Sequence, residues 1–495
     1  MNRKTEVGGF RQDTIDGISW SVVGKVGNQI LIIVLSVVLA RLLSPREFGL
    51  VSMVAIFTGF ASIFQNVGLG AALVQYQNVT EKHRSSVFWV NVGSGLLLTI
   101  LFVVASPLIA MFYGESVLVP ITTVLAFQFF FGGLSAVHRT LFQKEVNFKA
   151  ISLIGVVSTL FGGVTGIVLA WQEYGVWSLV ARSLFNQASA ALLLWIVSPW
   201  NPKFTFSRDA LQDLWRFSLN LLGTKTMNFW VRRLDDLLIG RFLGSDSLGI
   251  YTKSYGIMML PLRNVSGVIA RVMFPSLSKI QEDIPRVRRI YLRMTGAIAL
   301  ISFPLMLGLF VTVDPFVLGV FGPQWSGMIS PLKVFCFAGM WQSIATLNGN
   351  LYLSQGRSDL QFRVSLFTKP FMIAGIAVGL YWGLMGIVVG FSAASFIIWG
   401  VEFRYAGGLV NLTFGDLLHH LSGIFACALG MAGGVYALGL VLPPEWSHWL
   451  QLVTQVPVGI LLYWGIVHIF NVQAYSEVLD LLHEQWNKRT GTATP

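Results

Sequence analysis

Apolar runs of about twenty residues follow one another along almost the whole chain, with only short polar connections between them. A helix of about 20 residues crosses the hydrocarbon core of a bilayer, whereas irregular backbone is not stable against lipid. The pattern therefore predicts an all-α integral membrane protein with about fourteen transmembrane helices. The expected spans are residues 18–42, 47–72, 86–112, 118–140, 151–171, 176–198, 214–240, 247–273, 292–313, 327–352, 365–382, 384–403, 418–441 and 449–470.

The composition agrees with a membrane location. Hydrophobic residues make up 54% of the chain and charged residues only 12%, whereas soluble domains carry about 25% charged residues. No cleavable signal segment is recognised at the N-terminus. The net charge of +11 is attributed first to the basic cytoplasmic loops of membrane proteins, so nucleic acid is not an expected partner.

Sequence motifs for cofactor chemistry are missing. No G-x-x-x-x-G-K-S/T loop occurs, so the chain is not expected to hydrolyse ATP. Cys336 and Cys427 lie in apolar runs without the spacing of metal ligands. The sequence predicts neither a metal site nor a cofactor, and it offers no catalytic residue.

Lysine and arginine are distributed unevenly between the two sides of the predicted spans. With the N-terminus placed in the cytoplasm, the outer loops carry only Arg41, Arg46 and Arg241. Most of the 34 basic residues then fall in inner segments, Arg139 among them. Because cytoplasmic loops carry the excess of basic residues, we expect both termini on the cytoplasmic side.

The sequence also resembles itself at an offset of about 200 residues, which indicates an internal repeat. Lys25 aligns with Lys225 and Arg41 with Arg241, within the strings ARLLSPREFGLV and GRFLGSDSLGIY. Six helices per repeat give both halves the same orientation, with a pseudo-two-fold axis along the membrane normal. We predict two pseudo-symmetric six-helix bundles at residues 1–200 and 212–405, an extra helix pair at 415–470 and a cytoplasmic tail at 471–495.

Several basic residues fall inside predicted spans, where a charge near the bilayer centre costs a few kcal/mol or more. They are Lys25, Arg182, Lys225, Arg232, Arg233, Lys253, Arg263 and Lys333. Only Asp235 and Asp236 are acidic at comparable depth, so a cationic surplus remains. Arg182 and Lys333 lie within a turn or two of the predicted outer helix ends, and for both we favour snorkelling to the interface.

The stretch from Trp215 to Arg241 carries the densest set of these charges. Arg232 and Arg233 can pair with Asp235 and Asp236 at i,i+3 and i,i+4 spacing, which would give a self-neutralised structural cluster. Adjacent side chains point about 100° apart on a helix, however, so they cannot all face one packed neighbour. We therefore favour a cluster that faces a wet cavity.

The remaining cations have two interpretations, a cavity role or snorkelling along a long apolar stem. Lys25 and Lys225 occupy equivalent repeat positions, which tips the balance slightly towards a cavity. Arg263 follows Pro261, where a helix should kink, and a cavity role is favoured there. The two interpretations of Lys253 are evenly balanced.

A cavity rich in arginine and lysine favours an anionic passenger. Phosphate and pyrophosphate accept charge-assisted, bidentate hydrogen bonds from the guanidinium group. An antiporter of cationic drugs would instead need buried acidic residues in excess. The sign of the charges in the predicted spans therefore distinguishes a transporter of anions from an antiporter of cationic drugs.

The strings WSVVGKVGNQILIIVLSVVLARLLSPREFGLVSM, FQNVGLGAALVQ and LYLSQGRSDL, together with the helix count, resemble a known family. The chain is similar to Wzx-type polysaccharide flippases of the multidrug/oligosaccharidyl-lipid/polysaccharide exporter superfamily, in the branch of colanic-acid-like exopolysaccharide exporters. The resemblance covers nearly the whole chain.

This resemblance implies that the protein flips undecaprenyl-pyrophosphate-linked oligosaccharides across the bacterial inner membrane by alternating access, for exopolysaccharide or lipopolysaccharide biosynthesis. By helix position it assigns a cationic lumen to Lys25, Lys225, Arg232, Arg233, Lys253 and Arg263. Arg232, Arg233 and Lys225 are expected to hold the pyrophosphate. Judged from the residues alone, Asp235 and Asp236 are candidates for coupling to a proton or sodium gradient. Expected partners are the anionic lipid-linked oligosaccharide, membrane lipids, and the polysaccharide polymerase and glycosyltransferases of the pathway.

Two alternative functions remain open. An integral-membrane glycosyltransferase or polymerase would need an acidic base or a sizeable outward loop, and the predicted outer loops bear only isolated acids. A cation or drug antiporter is weaker still because of the charge sign.

Overall fold

The computed structural model describes residues 24–65, 69–212, 226, 229–230 and 233–477. Regular structure in these ranges is helical throughout, without a strand. Eleven of the described helices are long and apolar enough to cross a membrane. The predicted all-α, multi-pass membrane fold is therefore confirmed, and the total of fourteen helices stays a prediction.

The helices occur at the positions that the apolar runs predict, with shifted ends. In chain order they are α1 Gly24–Leu42, α2 Pro45–Gln65, α3 Leu69–Gln75, α4 Glu81–Tyr113, α5 Leu118–Lys144, α6 Phe148–Trp171, α7 Val176–Val197, α8 Leu234–Pro261, α9 Gly267–Ser278, α10 Ile284–Val311, α11 Ile329–Ser354, α12 Ser358–Gly379, α13 Gly383–Gly408, α14 Phe414–Val441 and α15 His448–Ile469. Short irregular helical turns between Val313 and Met328 connect α10 to α11.

Local sequence signals fix several of the helix ends. Gly114 closes α4 in the left-handed conformation (φ 74°), which a residue without a Cβ adopts without strain. The Asn147 side chain caps α6 by accepting a hydrogen bond from the Ala150 amide at 3.2 Å. Thr413 and Asp416 form a reciprocal capping box at the start of α14.

Large apolar side chains cover the outward face of α4. Leu97, Leu101, Val104, Leu108 and Met111 are all exposed and recur every three or four residues. An exposed apolar face of this extent is not stable in water, but it fits the hydrocarbon of a bilayer. The stripe marks the lipid-facing side of the helix.

The chain divides into two compact units, Met1–Gly249 and Ile250–Pro495. In the first unit, loops that are predicted on the same membrane side meet. At the predicted outer end, Glu115 lies 3.5 Å from both Arg46 and Ser245. At the opposite end, Lys144 donates to the Tyr76 carbonyl at 2.6 Å. The alternation of inner and outer loops predicted from the sequence therefore agrees with the packing of this unit.

In the second unit, the buried helix α11 packs against α10 and α13. Polar contacts cross its interface with α10, where the Tyr291 hydroxyl donates to Asn348 at 2.8 Å and Ser302 bonds to Ser343 at 2.8 Å. Such hydrogen bonds between membrane helices add to van der Waals packing as a source of helix association. Lys333, predicted to snorkel, forms an exposed ion pair with Asp314 at 2.7 Å.

The seventh and eighth predicted spans, 214–240 and 247–273, differ most from the structure. Helix α8 covers the end of span 214–240 and the first part of span 247–273, and its backbone breaks at Gly244 (φ 83°, ψ −178°). A π-helical turn, Leu262–Ser266, then follows Pro261 and separates α8 from α9. The irregular turn that Pro261 predicts is thus present, whereas most of span 214–240 lies outside the described residues.

Candidate functional site

Two neighbouring polar cavities lie inside the first unit. The amide cavity, about 530 Å³, is lined by α2, α3, α4 and α5 together with Gln187 of α7. The cation cavity, about 730 Å³, is lined by α1, α2, α6 and α7 together with Arg139 of α5. Both volumes lie in the range of small-molecule binding sites. Arg139 and Gln187 line both cavities, so the two are contiguous.

Three basic side chains give this interior its charge. Lys25 and Arg182 line the cation cavity, and Arg139 lines both cavities. No aspartate or glutamate occurs among the described residues that line either cavity. The described lining of the two cavities therefore carries three formal positive charges and no acidic side chain to balance them.

Helical spacing brings the polar residues of α5 to one face. Gln128, Gly132, Ser135, Arg139 and Gln143 recur every three or four residues and line the amide cavity. At a rise of 1.5 Å per residue this face extends over roughly 22 Å. Arg139 thus lies on a continuous polar face, about one and a half turns before the end of α5.

Close packing of α6 against α7 positions Arg182. A Cβ built on Gly162 would stand 2.5 Å from the Arg182 carbonyl oxygen and 2.8 Å from the Asn186 Cβ. A Cβ on Gly166 would stand 2.9 Å from the Arg182 Cβ. The two glycines therefore allow α7 to approach α6 and seat Arg182 and Asn186 against the cation cavity.

Uncompensated charge in membrane-spanning helices is costly unless water or an anion balances it. A phosphate or pyrophosphate group would supply that balance and would accept bidentate hydrogen bonds from Arg139 and Arg182. Serine, asparagine and glutamine side chains around them provide donors and acceptors for uncharged polar groups. Chemically, the site suits an anion that carries polar substituents.

The structure places the predicted site residues in several locations. Lys25 lies in the cation cavity, while Lys225 and Arg232 lie outside the described residues. At the start of α8, Arg233 donates to Asp236 at 2.7 Å, so the predicted i,i+3 ion pair is present. Asp235 and Asp236 are both buried, and neither belongs to the lining of the two cavities.

The two candidates in the second unit lie on α8 and on the turn that follows it. The ammonium group of Lys253 lies 5.9 Å from the centroid of the Trp325 ring, within reach of a cation–π interaction. Arg263 lies on the π-helical turn with an exposed side chain. Neither residue lines the two cavities of the first unit.

Sequence reasoning missed Arg139 and Arg182 as site residues. Arg139 was counted among the basic inner segments, but α5 continues to Lys144 and turns Arg139 into both cavities. Arg182 was expected to snorkel outward, but it lines the cation cavity instead. The polar residues one turn away, Gln143 for Arg139 and Asn186 for Arg182, are the signal that could have identified them.

The membrane-spanning helices define this chain as an integral membrane protein with a polar, cationic interior in its first unit. Residues 38–330, more than half of the chain, match the sequence profile of the family described as "Polysaccharide biosynthesis protein". The chain belongs to this family, and the Wzx-type resemblance is confirmed. It is a membrane transporter of polysaccharide biosynthesis rather than an enzyme.

Two curated relatives support the family assignment over most of the chain. The teichuronic acid biosynthesis protein TuaB of Bacillus subtilis is 29% identical, covering 94% of this chain and 97% of the relative. The lipopolysaccharide biosynthesis protein WzxC of Escherichia coli is 27% identical, covering 77% of this chain and 78% of the relative.

Among solved structures, the fold is similar to that of the lipid II flippase MurJ in an inward closed conformation. The TM-score is 0.71 at 16% sequence identity, and the match covers 93% of this chain and 99% of MurJ. At this identity the similarity concerns the fold alone.

Proposed function

We propose that this protein flips an undecaprenyl-pyrophosphate-linked oligosaccharide from the cytoplasmic to the periplasmic leaflet of a bacterial inner membrane, by alternating access. The product would enter exopolysaccharide or lipopolysaccharide biosynthesis. The observation that carries the proposal is the pair of contiguous cavities, whose described lining residues include three cations and no acid. Family membership and the similarity to TuaB and WzxC support the class of cargo.

The cations would hold the pyrophosphate while the polyprenyl tail remains in lipid. Arg139 and Arg182 offer planar donor forks that match phosphate oxygens, and Lys25 adds a third charge. A hydrogen bond that involves a charged group contributes about 1.5–3 kcal/mol. Loss of one such contact should therefore weaken binding by roughly 10- to 100-fold.

The charge of the cavity also opposes the alternative cargo. A cationic drug would meet three like charges and no carboxylate among the lining residues that the structure describes. Like charges at short range repel each other, so this contact is unfavourable. We therefore do not favour drug antiport, and no observation favours a glycosyltransferase or polymerase.

The proposed architecture has fourteen helices, in two six-helix bundles related by a parallel repeat, with an additional helix pair at residues 415–470. Both termini would lie in the cytoplasm. In the first unit, the contacts of Glu115 with Arg46 and Ser245 at the predicted outer end support the proposed alternation of inner and outer loops. In the second unit, the ion pair of Arg288 with Asp416 joins two predicted inner segments.

We further propose that the start of α8 provides coupling, and that cations preceding α8 in the sequence provide additional pyrophosphate contacts. Asp235 and Asp236 are buried carboxylates at its start and are candidates for proton or sodium coupling. Lys225, Arg232 and Arg233 remain candidates for pyrophosphate binding. Polymerase and glycosyltransferases of the same pathway are the expected protein partners.

A flipping assay with purified protein tests the proposal. Proteoliposomes would carry undecaprenyl-pyrophosphate disaccharide in one leaflet, and an added glycosidase would report the fraction that reaches the other. The Arg139→Gln/Arg182→Gln double variant should lose at least roughly 100-fold in rate, because two charge-assisted contacts are removed. Wild-type flipping by a folded double variant would overturn the assignment.

The matched control is Arg357→Gln. Arg357 is an exposed residue that pairs with Asp359 at 3.0 Å, outside both cavities. Exposed ion pairs contribute at most about 1 kcal/mol, so this variant should flip the cargo at the wild-type rate. The loss of a guanidinium group outside the cavities then separates a cavity effect from a general change in charge.

A further inference from the structure

The amide cavity differs in chemistry from the cation cavity beside it. Its carboxamide side chains are Gln65, Asn91, Gln128, Gln143 and Gln187. Serine and threonine hydroxyls complete the polar lining, and Arg139 is the one basic residue among the described lining residues. A carboxamide both donates and accepts hydrogen bonds, as a sugar hydroxyl does. The lining is therefore complementary to an uncharged polyhydroxyl group rather than to a second anion.

One of these carboxamides has hydrogen-bonding capacity to spare. Asn91 is 2% exposed, and its side-chain oxygen has no hydrogen-bond partner in the part of the chain that the structure describes. A buried polar atom without a partner is rare in folded proteins, and a bound ligand group is one way to satisfy it. Gln65, by contrast, is fixed because its side-chain amide donates to the Phe129 carbonyl.

Small residues create the space in the amide cavity. A Cβ built on Gly132 would stand 2.6 Å from the Gln65 amide nitrogen, so this position accepts no side chain without displacing Gln65. Gly59, Gly70 and Ala136 line the same space. These small residues leave room beside the carboxamides that larger side chains would fill.

We propose that the amide cavity is a glycan subsite, which receives the uncharged sugar attached directly to the pyrophosphate. This inference rests on the proposed function, with the pyrophosphate in the cation cavity. The first sugar of the cargo is bonded to a phosphate, so the two subsites must be contiguous. Arg139 and Gln187, which line both cavities, provide that continuity.

The charge of the sugar at this position follows from the lining. Arg139 lies at the junction, where the phosphate nearest the sugar occupies its donor fork. A carboxylate on the first sugar would then enter a cavity without a further cation among the described lining residues. Burial of an unpaired carboxylate is strongly unfavourable. The subsite therefore selects a neutral first sugar over a uronic acid.

Three probes separate the subsites in a binding assay with the full-length protein in detergent. They are undecaprenyl pyrophosphate, undecaprenyl-pyrophosphate-glucose and undecaprenyl-pyrophosphate-glucuronic acid. Wild-type protein should bind the glucose probe at least roughly 10-fold more tightly than the glucuronic acid probe. Equal affinity for the two, or tighter binding of the glucuronic acid probe, would overturn the neutral-sugar assignment.

Variants then locate the sugar. Gln128→Leu removes hydrogen-bonding groups, and Gly132→Ala displaces the Gln65 side chain from its position beside the cavity. Each variant should lower the affinity for the glucose probe by roughly 10-fold and leave the affinity for undecaprenyl pyrophosphate unchanged. The control Gln172→Leu makes the same substitution at an exposed position beyond the end of α6 and should change neither affinity.

The outcomes distinguish this inference from the proposed function. Unchanged affinity of both variants for the glucose probe, or an equal loss for both probes, would overturn the glycan subsite. Arg182→Gln should weaken the binding of both undecaprenyl pyrophosphate and the glucose probe. Failure of wild-type protein to bind undecaprenyl pyrophosphate, or no effect of Arg182→Gln, would instead overturn the proposed function.

Discussion

Substitution of Gly162 by alanine should displace the cation cavity through helix packing alone. The new Cβ would lie 2.5 Å from the Arg182 carbonyl oxygen and 3.0 Å from the Asn186 amide nitrogen. Ordinary van der Waals contact for a Cβ begins near 3.4 Å. Because the blocking atoms are mainly backbone, rotation of a side chain cannot relieve the clash. Helix α7 must move away from α6 by about 0.9 Å at this point.

This displacement should lower both the stability of the protein and its affinity for an anion. Overpacking of a well-packed core costs about 1–3 kcal/mol. Each kcal/mol lowers the melting temperature of a unit of this size by about 2–4 °C, so a fall of several degrees is expected. Arg182 moves with the backbone of α7, and misplacement of its hydrogen bonds to an anion should reduce affinity by roughly 10-fold.

Thermal unfolding in detergent and binding of undecaprenyl pyrophosphate check the two effects together. Gly93→Ala is the matched control, because Gly93 is exposed in the middle of α4 and a Cβ there would meet no atom within 4 Å. Alanine at this position should stabilise the helix by up to about 1 kcal/mol. Equal melting temperatures and equal affinities for Gly162→Ala and Gly93→Ala would refute the role of α6 packing in seating Arg182.

Two further predictions concern topology and the start of α8. A cysteine in place of Glu115 should react with a membrane-impermeant maleimide in intact cells. A cysteine in place of Lys203 should react only after permeabilisation. Both native cysteines are buried, so background labelling should be low. The reverse labelling would invert the orientation. The Arg232→Ala/Arg233→Ala variant should abolish polysaccharide export at unchanged membrane level. Arg233 pairs with the buried Asp236, so export restored by adding Asp236→Asn would attribute the loss to an unpaired carboxylate instead.

The membrane fold was largely predictable because hydropathy is a property of the sequence itself. The exposed stripe of Leu97, Val104 and Met111 on α4 is the lipid-facing side that a long apolar run requires. The exact helix ends were less predictable. Helix α4 begins at Glu81 rather than at the predicted residue 86, because polar residues can occupy the first turns at an interface. The break of α8 at Gly244 depends on a single positive φ angle.

The candidate site was predictable in its charge but only partly in its residues. The cationic surplus pointed to an anionic cargo, and Lys25 lies in the cation cavity. Helix depth alone, however, could not distinguish a snorkelling arginine from one that faces inward. For Arg182 the decision rests on the approach of α7 to α6 at Gly162, a tertiary contact that the sequence does not reveal.

Ion pairing sorts the charged residues of the membrane helices into two kinds. Arg233 lies 2.7 Å from Asp236, so each of these two charges has a partner three residues away in the sequence. Lys25, Arg139 and Arg182 have no ion-pair partner in the described ranges, although all three line one continuous polar interior. A structural role would be served better by neutral or paired side chains, because each unpaired cation disfavours insertion. No acidic residue lines the cavities among the residues that the structure describes, and entry of an anion would offset the cost of the three cations. This arrangement fits the multiply charged cargo, such as pyrophosphate, that we propose.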